Sequence, residues 1–210
     1  MTKRSTKQLR YWEGEFGNAY LQRNSDPKLF AKRKPFFKKL LDSHPDILSV
    51  LEVGSNIGGN LNVLHSINPQ LNLTAIEPNA KAAAVVKRTL PEVTIYHQSI
   101  FDCDWHNAFD LVFTCGVLIH IANQDLKETL SKIYNASKKY ILTIEYYSPR
   151  REQIIYRGLS DALFKRPYNK EWQTVFPKLQ LIESGKRIAK PIGQDEPGRW
   201  WLFKKPNTKK

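Results

Sequence analysis

The chain has 210 residues, 41% hydrophobic and 25% charged, which suits one globular domain with a buried core. Its 33 Lys+Arg against 20 Asp+Glu give a net charge of +13, which attracts nucleic acid, anionic membrane or an acidic small molecule without naming one. No apolar run approaches the roughly 18 residues of a membrane span, no secretory pattern follows Met1, and Cys103 and Cys115 lack metal-ligand spacing, so a reduced, cytoplasmic protein with no metal is expected.

In chain order, the first 45 residues read as a helical N-terminal segment or lid, with Tyr11, Trp12, Phe16 and Tyr20 as an aromatic set. Residues 27–42 place Leu29, Phe30, Phe36, Phe37, Leu40 and Leu41 at helical spacing, interrupted near Pro35. The core, 46–204, alternates strands at 47–53, 73–76, 93–97, 109–114 and 140–146 with helices at 59–67, 78–89 and 124–137. Helix-like and loop residues follow residue 146, then two late strands near 179–184 and 199–203, joined by a Pro/Gly-rich loop. A basic tail, 205–210, closes the chain, and the Lys/Arg residues of both ends read as solvated. Alternation of this kind predicts an α/β fold: a doubly wound, mostly parallel seven-stranded Rossmann-like sheet with an antiparallel C-terminal edge hairpin. No internal repeat and no second domain are visible.

The most informative stretch is 49–60, Ser-Val-Leu-Glu-Val-Gly-Ser-Asn-Ile-Gly-Gly-Asn. An apolar strand carrying Glu52 runs into a turn bracketed by Gly54 and Gly58, and a helix follows whose free N–H groups face a ligand. The turn lacks the Gly-Lys-Ser/Thr ending of a phosphate-binding loop, which argues against ATP or GTP hydrolysis. Glu77 closes the second strand, where a carboxylate accepts from both hydroxyls of a ribose; NAD-binding folds place an acid there too. Asp102 follows the third strand, where it can accept from an adenine amino group while Ile100 or Phe101 covers the ring. Glu52 sits below the loop and can orient it through backbone N–H groups.

The acidic-x-Gly-x-x-x-Gly pattern resembles the first motif of class I S-adenosylmethionine-dependent methyltransferases. A closer resemblance lies in Tyr11-Trp-Glu-Gly-Glu-Phe-Gly-Asn-Ala-Tyr-Leu-Gln-Arg-Asn24, which is similar to the opening of pseudaminic acid biosynthesis-associated methyltransferases. Phe113-Thr-Cys-Gly-Val-Leu-Ile-His-Ile121, Ile144-Glu-Tyr-Tyr147, Tyr156-Arg-Gly158, Leu163-Phe-Lys-Arg166 and Trp200-Trp-Leu202 agree, so the likeness covers about residues 11–203; Asn18 stands where an acid is expected. The resemblance implies S-adenosylmethionine as cofactor. Its binding residues are expected among Tyr20, Arg23, Asn24, Glu52, Gly54, Asn56, Gly58, Glu77, Ile100, Phe101, Asp102, Cys115 and Gly116, with Arg23 and Asn24 on the methionyl carboxylate or the acceptor.

His120, just after the fourth strand, and Glu145, at the end of the fifth, are rival general bases. Tyr146, Tyr147, Tyr156, Arg157, Lys165 and Arg166 form a basic and aromatic run on the expected acceptor side. Arginine there suits a carboxylate or phosphate, as on a nonulosonic acid or nucleotide-sugar of surface-glycan synthesis. The alternative is a nucleic acid or protein substrate, favoured by the charge. Against it, the chain has no Asn/Asp-Pro-Pro-Tyr segment and no Pro-Cys nucleophile.

Overall fold

The computed structural model describes residues 4–23, 28–186 and 198–206. Seven strands form one sheet in the order β3-β2-β1-β4-β5-β9-β8, with β6 and β7 as a separate antiparallel pair. This is the expected α/β sheet with its antiparallel C-terminal edge. The described residues up to Asp102 make one compact unit and those from Cys103 onward a second.

The first unit opens with α1 (Lys7–Glu13), capped by Thr6, whose side chain accepts from the Leu9 N–H, and α2 (Glu15–Arg23). The helical pattern of 27–42 is two helices, α3 (Lys28–Ala31) and α4 (Lys34–Ser43), with Pro35 inside the first turn of α4, where its missing N–H costs nothing. Parallel strands β1 (Ser49–Val53), β2 (Asn72–Ile76) and β3 (Thr94–Tyr96) alternate with α5 (Gly59–Ile67) and α6 (Ala80–Thr89). The last four residues of both β1 and β2 are buried, which is why these strands read as continuous apolar runs. A 3-10 turn, Ile100–Asp102, closes the unit.

In the second unit β4 (Phe109–Cys115) pairs parallel with β5 (Ser137–Tyr146), joined through a 3-10 turn (Leu118–His120) and α7 (Asn123–Ala136). Residues after β5 correct the expectation of helix and loop in part. They form a hairpin of β6 (Glu152–Tyr156) and β7 (Leu159–Lys165), followed by α8 (Tyr168–Val175). Its two-residue turn is Arg157-Gly158, both left-handed at φ 51° and 82°. The Arg151 guanidinium holds the hairpin to α8 by two bonds to Glu171, at 2.7 and 2.6 Å. Strand β9 (Gly198–Lys204) runs antiparallel between β5 and β8 (Gln180–Lys186), and Trp172, fully buried, donates to Thr143 Oγ1 of β5 at 2.9 Å.

Two basic end residues are not solvated, contrary to expectation. Lys205 donates to the Tyr134 carbonyl (2.9 Å), the Ser137 carbonyl (2.6 Å) and Asn107 Oδ1 (3.0 Å), a cation on the C-terminal end of α7. Arg4 donates its backbone N–H to Asp102 and lays its guanidinium 4.6 Å from the centre of the Phe101 ring.

Candidate active site

In the first unit the β1–α5 loop is built on left-handed backbone: Gly54 at φ 72°, Asn56 at 50° and Gly58 at 77°. Gly58 is required twice over, because a Cβ there would also come within 2.9 Å of Leu90 Cδ1. The loop is fastened to the end of β2 through Glu77. One carboxylate oxygen accepts from the Asn56 N–H and the other from the Asn79 N–H, both at 2.8 Å. Burial pushes the Glu77 carboxyl up to about 7.

Asn79 caps α6 by accepting from the Ala82 N–H, and its amide donates to the Trp12 carbonyl (2.9 Å) and Asn18 Oδ1 (3.1 Å). Asn18, where an acid was expected, thus ties the N-terminal helices to the β2–α6 turn. Gly17 makes room for this contact: a Cβ there would come within 2.9 Å of the Asn79 amide nitrogen. Tyr20 packs edge-on to Trp12 at 5.2 Å, and exposed Arg23 lies 5.7 Å from the Tyr20 ring centre. Asn24 lies outside the described residues.

Glu52 has a different partner from the one expected. Its Oε1 accepts from the Asn60 side chain on α5 at 2.6 Å rather than from the loop backbone, and Asn60 Oδ1 accepts in turn from Arg33 at 2.5 Å. Glu52 Oε2 is buried and has no hydrogen bond among the described residues, and burial raises the carboxyl to about 8. Asp102 closes its own turn, accepting from the Ser99 hydroxyl at 2.7 Å and the Ser99 N–H at 3.2 Å. Of the two apolar candidates beside it, Ile100 is a core residue, whereas Phe101 keeps part of its ring accessible.

In the second unit two of the candidate residues are turned inward. Glu145 is fully buried and accepts from three consecutive backbone N–H groups: Val117 and Leu118 at 3.1 Å and Ile119 at 3.4 Å. A carboxylate occupied this way anchors the β4–α7 turn and is a poor general base. Arg166, expected on the acceptor, is also fully buried. It donates to the Leu118 carbonyl (3.0 Å), the Ile121 carbonyl (2.6 Å) and Asn123 Oδ1 (3.0 Å). Anion and cation therefore grip opposite ends of one 3-10 turn, matching its dipole.

That turn presents His120. Its Nδ1 lies 2.5 Å from the Ala162 carbonyl of β7, and a carbonyl only accepts, so the proton is on Nδ1 and the ring lone pair on Nε2. Burial lowers His120 to about 4 and keeps it neutral. The Tyr156 ring stands 5.6 Å away. Arg157 is exposed at the hairpin tip, Tyr146 and Lys165 are buried, and half-buried Tyr147 carries the Arg199 guanidinium 4.6 Å from its ring centre. At the end of β4, Gly116 takes φ 71° and donates to the Ile144 carbonyl, next to half-buried Cys115. Among the described residues no group of three His, Cys, Asp or Glu could hold a metal, and no helix is long and apolar enough to cross a membrane.

The raised carboxyls predict an inverted pH dependence. From about pH 5 to 8 the unfolded chain has released protons that folded Glu52 and Glu77 still hold, so the ligand-free protein loses stability as pH rises toward 8. His120 acts oppositely, its contribution being present above 6.5 and lost as pH falls toward 4. Urea unfolding is expected to give a lower midpoint at pH 8 than at 6.5, with a smaller drop for Glu52→Gln. Equal or rising midpoints would mean that the two carboxyls are not raised by burial.

Sheet order, glycine turn and the acid closing β2 together define a class I methyltransferase fold. Residues 50–139 match the family described as a methyltransferase domain, and no curated protein matches the sequence. The chain is similar to a S-adenosylmethionine-dependent methyltransferase from Leishmania major at a TM-score of 0.71, with 15% identity over 95% of this chain and 87% of that one. It is similar to magnesium protoporphyrin IX methyltransferase from Synechocystis with bound S-adenosylmethionine at 0.69, with 10% identity over 98% of this chain and 100% of that one. A 1,6-didemethyltoxoflavin-N1-methyltransferase from Burkholderia thailandensis superposes at 0.64, with 13% identity over 92% of this chain and 91% of that one. Residues 50–139 therefore match a methyltransferase domain, within a chain whose fold is shared with these enzymes.

Proposed function

We propose that the protein is a cytoplasmic methyltransferase acting on a hydroxyl of a small anionic acceptor, a nonulosonic-acid-type sugar or nucleotide-sugar of surface-glycan synthesis. The observation that carries a hydroxyl acceptor is His120, a neutral imidazole of one tautomer held by Ala162 on a turn gripped at both ends. The sugar class rests on the resemblance of residues 11–203 to the pseudaminic acid-associated family.

S-adenosylmethionine, when bound, supplies an electrophilic methyl group. The residues present fit it, since Glu52 keeps a buried carboxylate oxygen with no partner among the described residues and Glu77 carries its carboxylate beside the glycine turn. Each Glu77 oxygen accepts one backbone N–H and retains a lone pair for a ribose hydroxyl. The partly accessible Phe101 ring offers a face for adenine. His120, with a pKa near 4, is a weak base; it accepts and orients the acceptor hydroxyl through Nε2 and takes its proton as the oxygen becomes positive. The Tyr147–Arg199 pair and Arg157 offer cationic, aromatic surface to an anionic acceptor.

The test is transfer of labelled methyl from S-adenosylmethionine into fractionated native lysate. Label in small anionic sugar metabolites is expected. Label confined to nuclease- or protease-sensitive polymer would transfer the assignment to a macromolecular substrate, the reading that the +13 charge favours.

A further inference from the structure

We propose that Arg199, seated on the ring of Tyr147, is the residue that recognises a carboxylate of the acceptor; this rests on the small anionic acceptor reading above. The sheet builds the seat. Strand β9 runs antiparallel to β5 in the register Tyr146↔Gly198, Glu145↔Arg199 and Thr143↔Trp201, so the start of β9 lies at the carboxyl end of β5. Directly paired residues share one face of a sheet, and alternate residues along a strand return to it. Glu145, Arg199 and Trp201 therefore stand on the same face, and Tyr147, two residues beyond Glu145, meets the Trp201 ring there at 6.0 Å. Glu145 is the carboxylate that holds the Val117, Leu118 and Ile119 N–H groups of the turn presenting His120. Arg199 is thus one strand away from the anchor of that turn.

Two observations point to a ligand. The guanidinium is placed rather than trailing: it lies 4.6 Å from the Tyr147 ring centre, on an aromatic column that continues through buried Trp201 to buried Tyr168, 6.2 Å further in. The Tyr147 backbone is pinned as well, by a bridge to Arg166. Yet, among the described residues, nothing accepts a hydrogen bond or forms an ion pair with the Arg199 guanidinium, which is exposed. Arg151 and Arg166, by contrast, are spent on Glu171 and on the carbonyls of the His120 turn. Contact with an aromatic ring uses the charge of a guanidinium and none of its N–H groups. The free edge keeps two parallel donors at the spacing of the two oxygens of a carboxylate. One guanidinium carries one charge, which a carboxylate balances one for one.

The experiment is calorimetric titration of the full chain, saturated with S-adenosylhomocysteine, with N-acetylneuraminic acid and, separately, with its methyl ester, which keeps the sugar and loses the negative charge. The unsubstituted protein is expected to bind the acid about 10- to 100-fold more tightly than the ester, the range of a charge-assisted contact. Arg199→Met is expected to bring the acid down to the level of the ester, and to leave the ester and S-adenosylhomocysteine within about twofold. Arg199→Lys is expected to recover part of the loss, because the charge returns without the planar fork. An undiminished preference for the acid in Arg199→Met would overturn the proposal, as would equal binding of acid and ester by the unsubstituted protein. So would equal weakening of acid, ester and S-adenosylhomocysteine in Arg199→Met, which marks a role in folding only. Failure of the unsubstituted protein to bind either sugar while it binds S-adenosylhomocysteine would instead overturn the nonulosonic-acid reading itself.

Discussion

Arg166→Met is expected to destabilise the protein by about 3–5 kcal/mol, because three acceptors lose one charged donor together. Methionine fills much of the volume but donates nothing. The Leu118 and Ile121 carbonyls and Asn123 Oδ1 then lose their donor, and a buried acceptor left unpaired costs about 1–3 kcal/mol. Arg166→Lys should recover little, because one ammonium cannot reproduce the fork that serves three acceptors at separate directions. Urea unfolding followed by tryptophan fluorescence measures the effect. A change below about 1 kcal/mol for Arg166→Met would mean that the turn holding His120 does not depend on this grip.

Glu77→Ala is expected to lower S-adenosylhomocysteine affinity by about 100-fold, equivalent to roughly 2.7 kcal/mol. The side chain has two jobs that the substitution removes together. It holds the Asn56 N–H of the glycine turn and the Asn79 N–H that begins the α6 cap, and it offers lone pairs to ribose hydroxyls. Glu77→Gln separates them: its amide oxygen can keep one backbone donor while its NH2 faces the other, so affinity should fall while less of the fold is disturbed. Isothermal titration of both variants, with their melting temperatures, distinguishes loss of a ligand contact from loss of the loop. Undiminished affinity in Glu77→Ala would remove this residue from the cofactor site.

Much of the sheet was readable in the chain because both faces of β1, β2, β4 and β5 are covered, which demands near-continuous apolar runs. The glycine turn was readable because left-handed backbone at Gly54 and Gly58 leaves a compositional mark. The β6–β7 hairpin was not. Its β6 strand is mostly exposed, with Ile155 at 74%, so it lacks the alternating core signal, and its turn puts Arg157 rather than Asn or Asp at the first left-handed position. Lys205 had no signal of its own, since a lysine that collects three oxygens at a helix end is spelled like one in a solvated tail.

The site divides along the same line. The α/β class, the glycine turn, and the chemical types and order of Glu52, Glu77, Asp102, His120 and Glu145 are legible in the chain, because each of these follows from local pattern or from position at a strand end. What those groups do with their hydrogen bonds follows from packing. Glu145 and Arg166 read alike as candidates for chemistry, yet burial obliges each to be satisfied, and the nearest unsatisfied groups are the N–H and carbonyl groups of one short turn. Arg33 and Asn60 were silent for the converse reason. Their significance lies in Asn60 being brought within hydrogen-bonding distance of Arg33, 27 residues away, and of Glu52, 8 residues away, and such proximity is a property of packing, not of spelling.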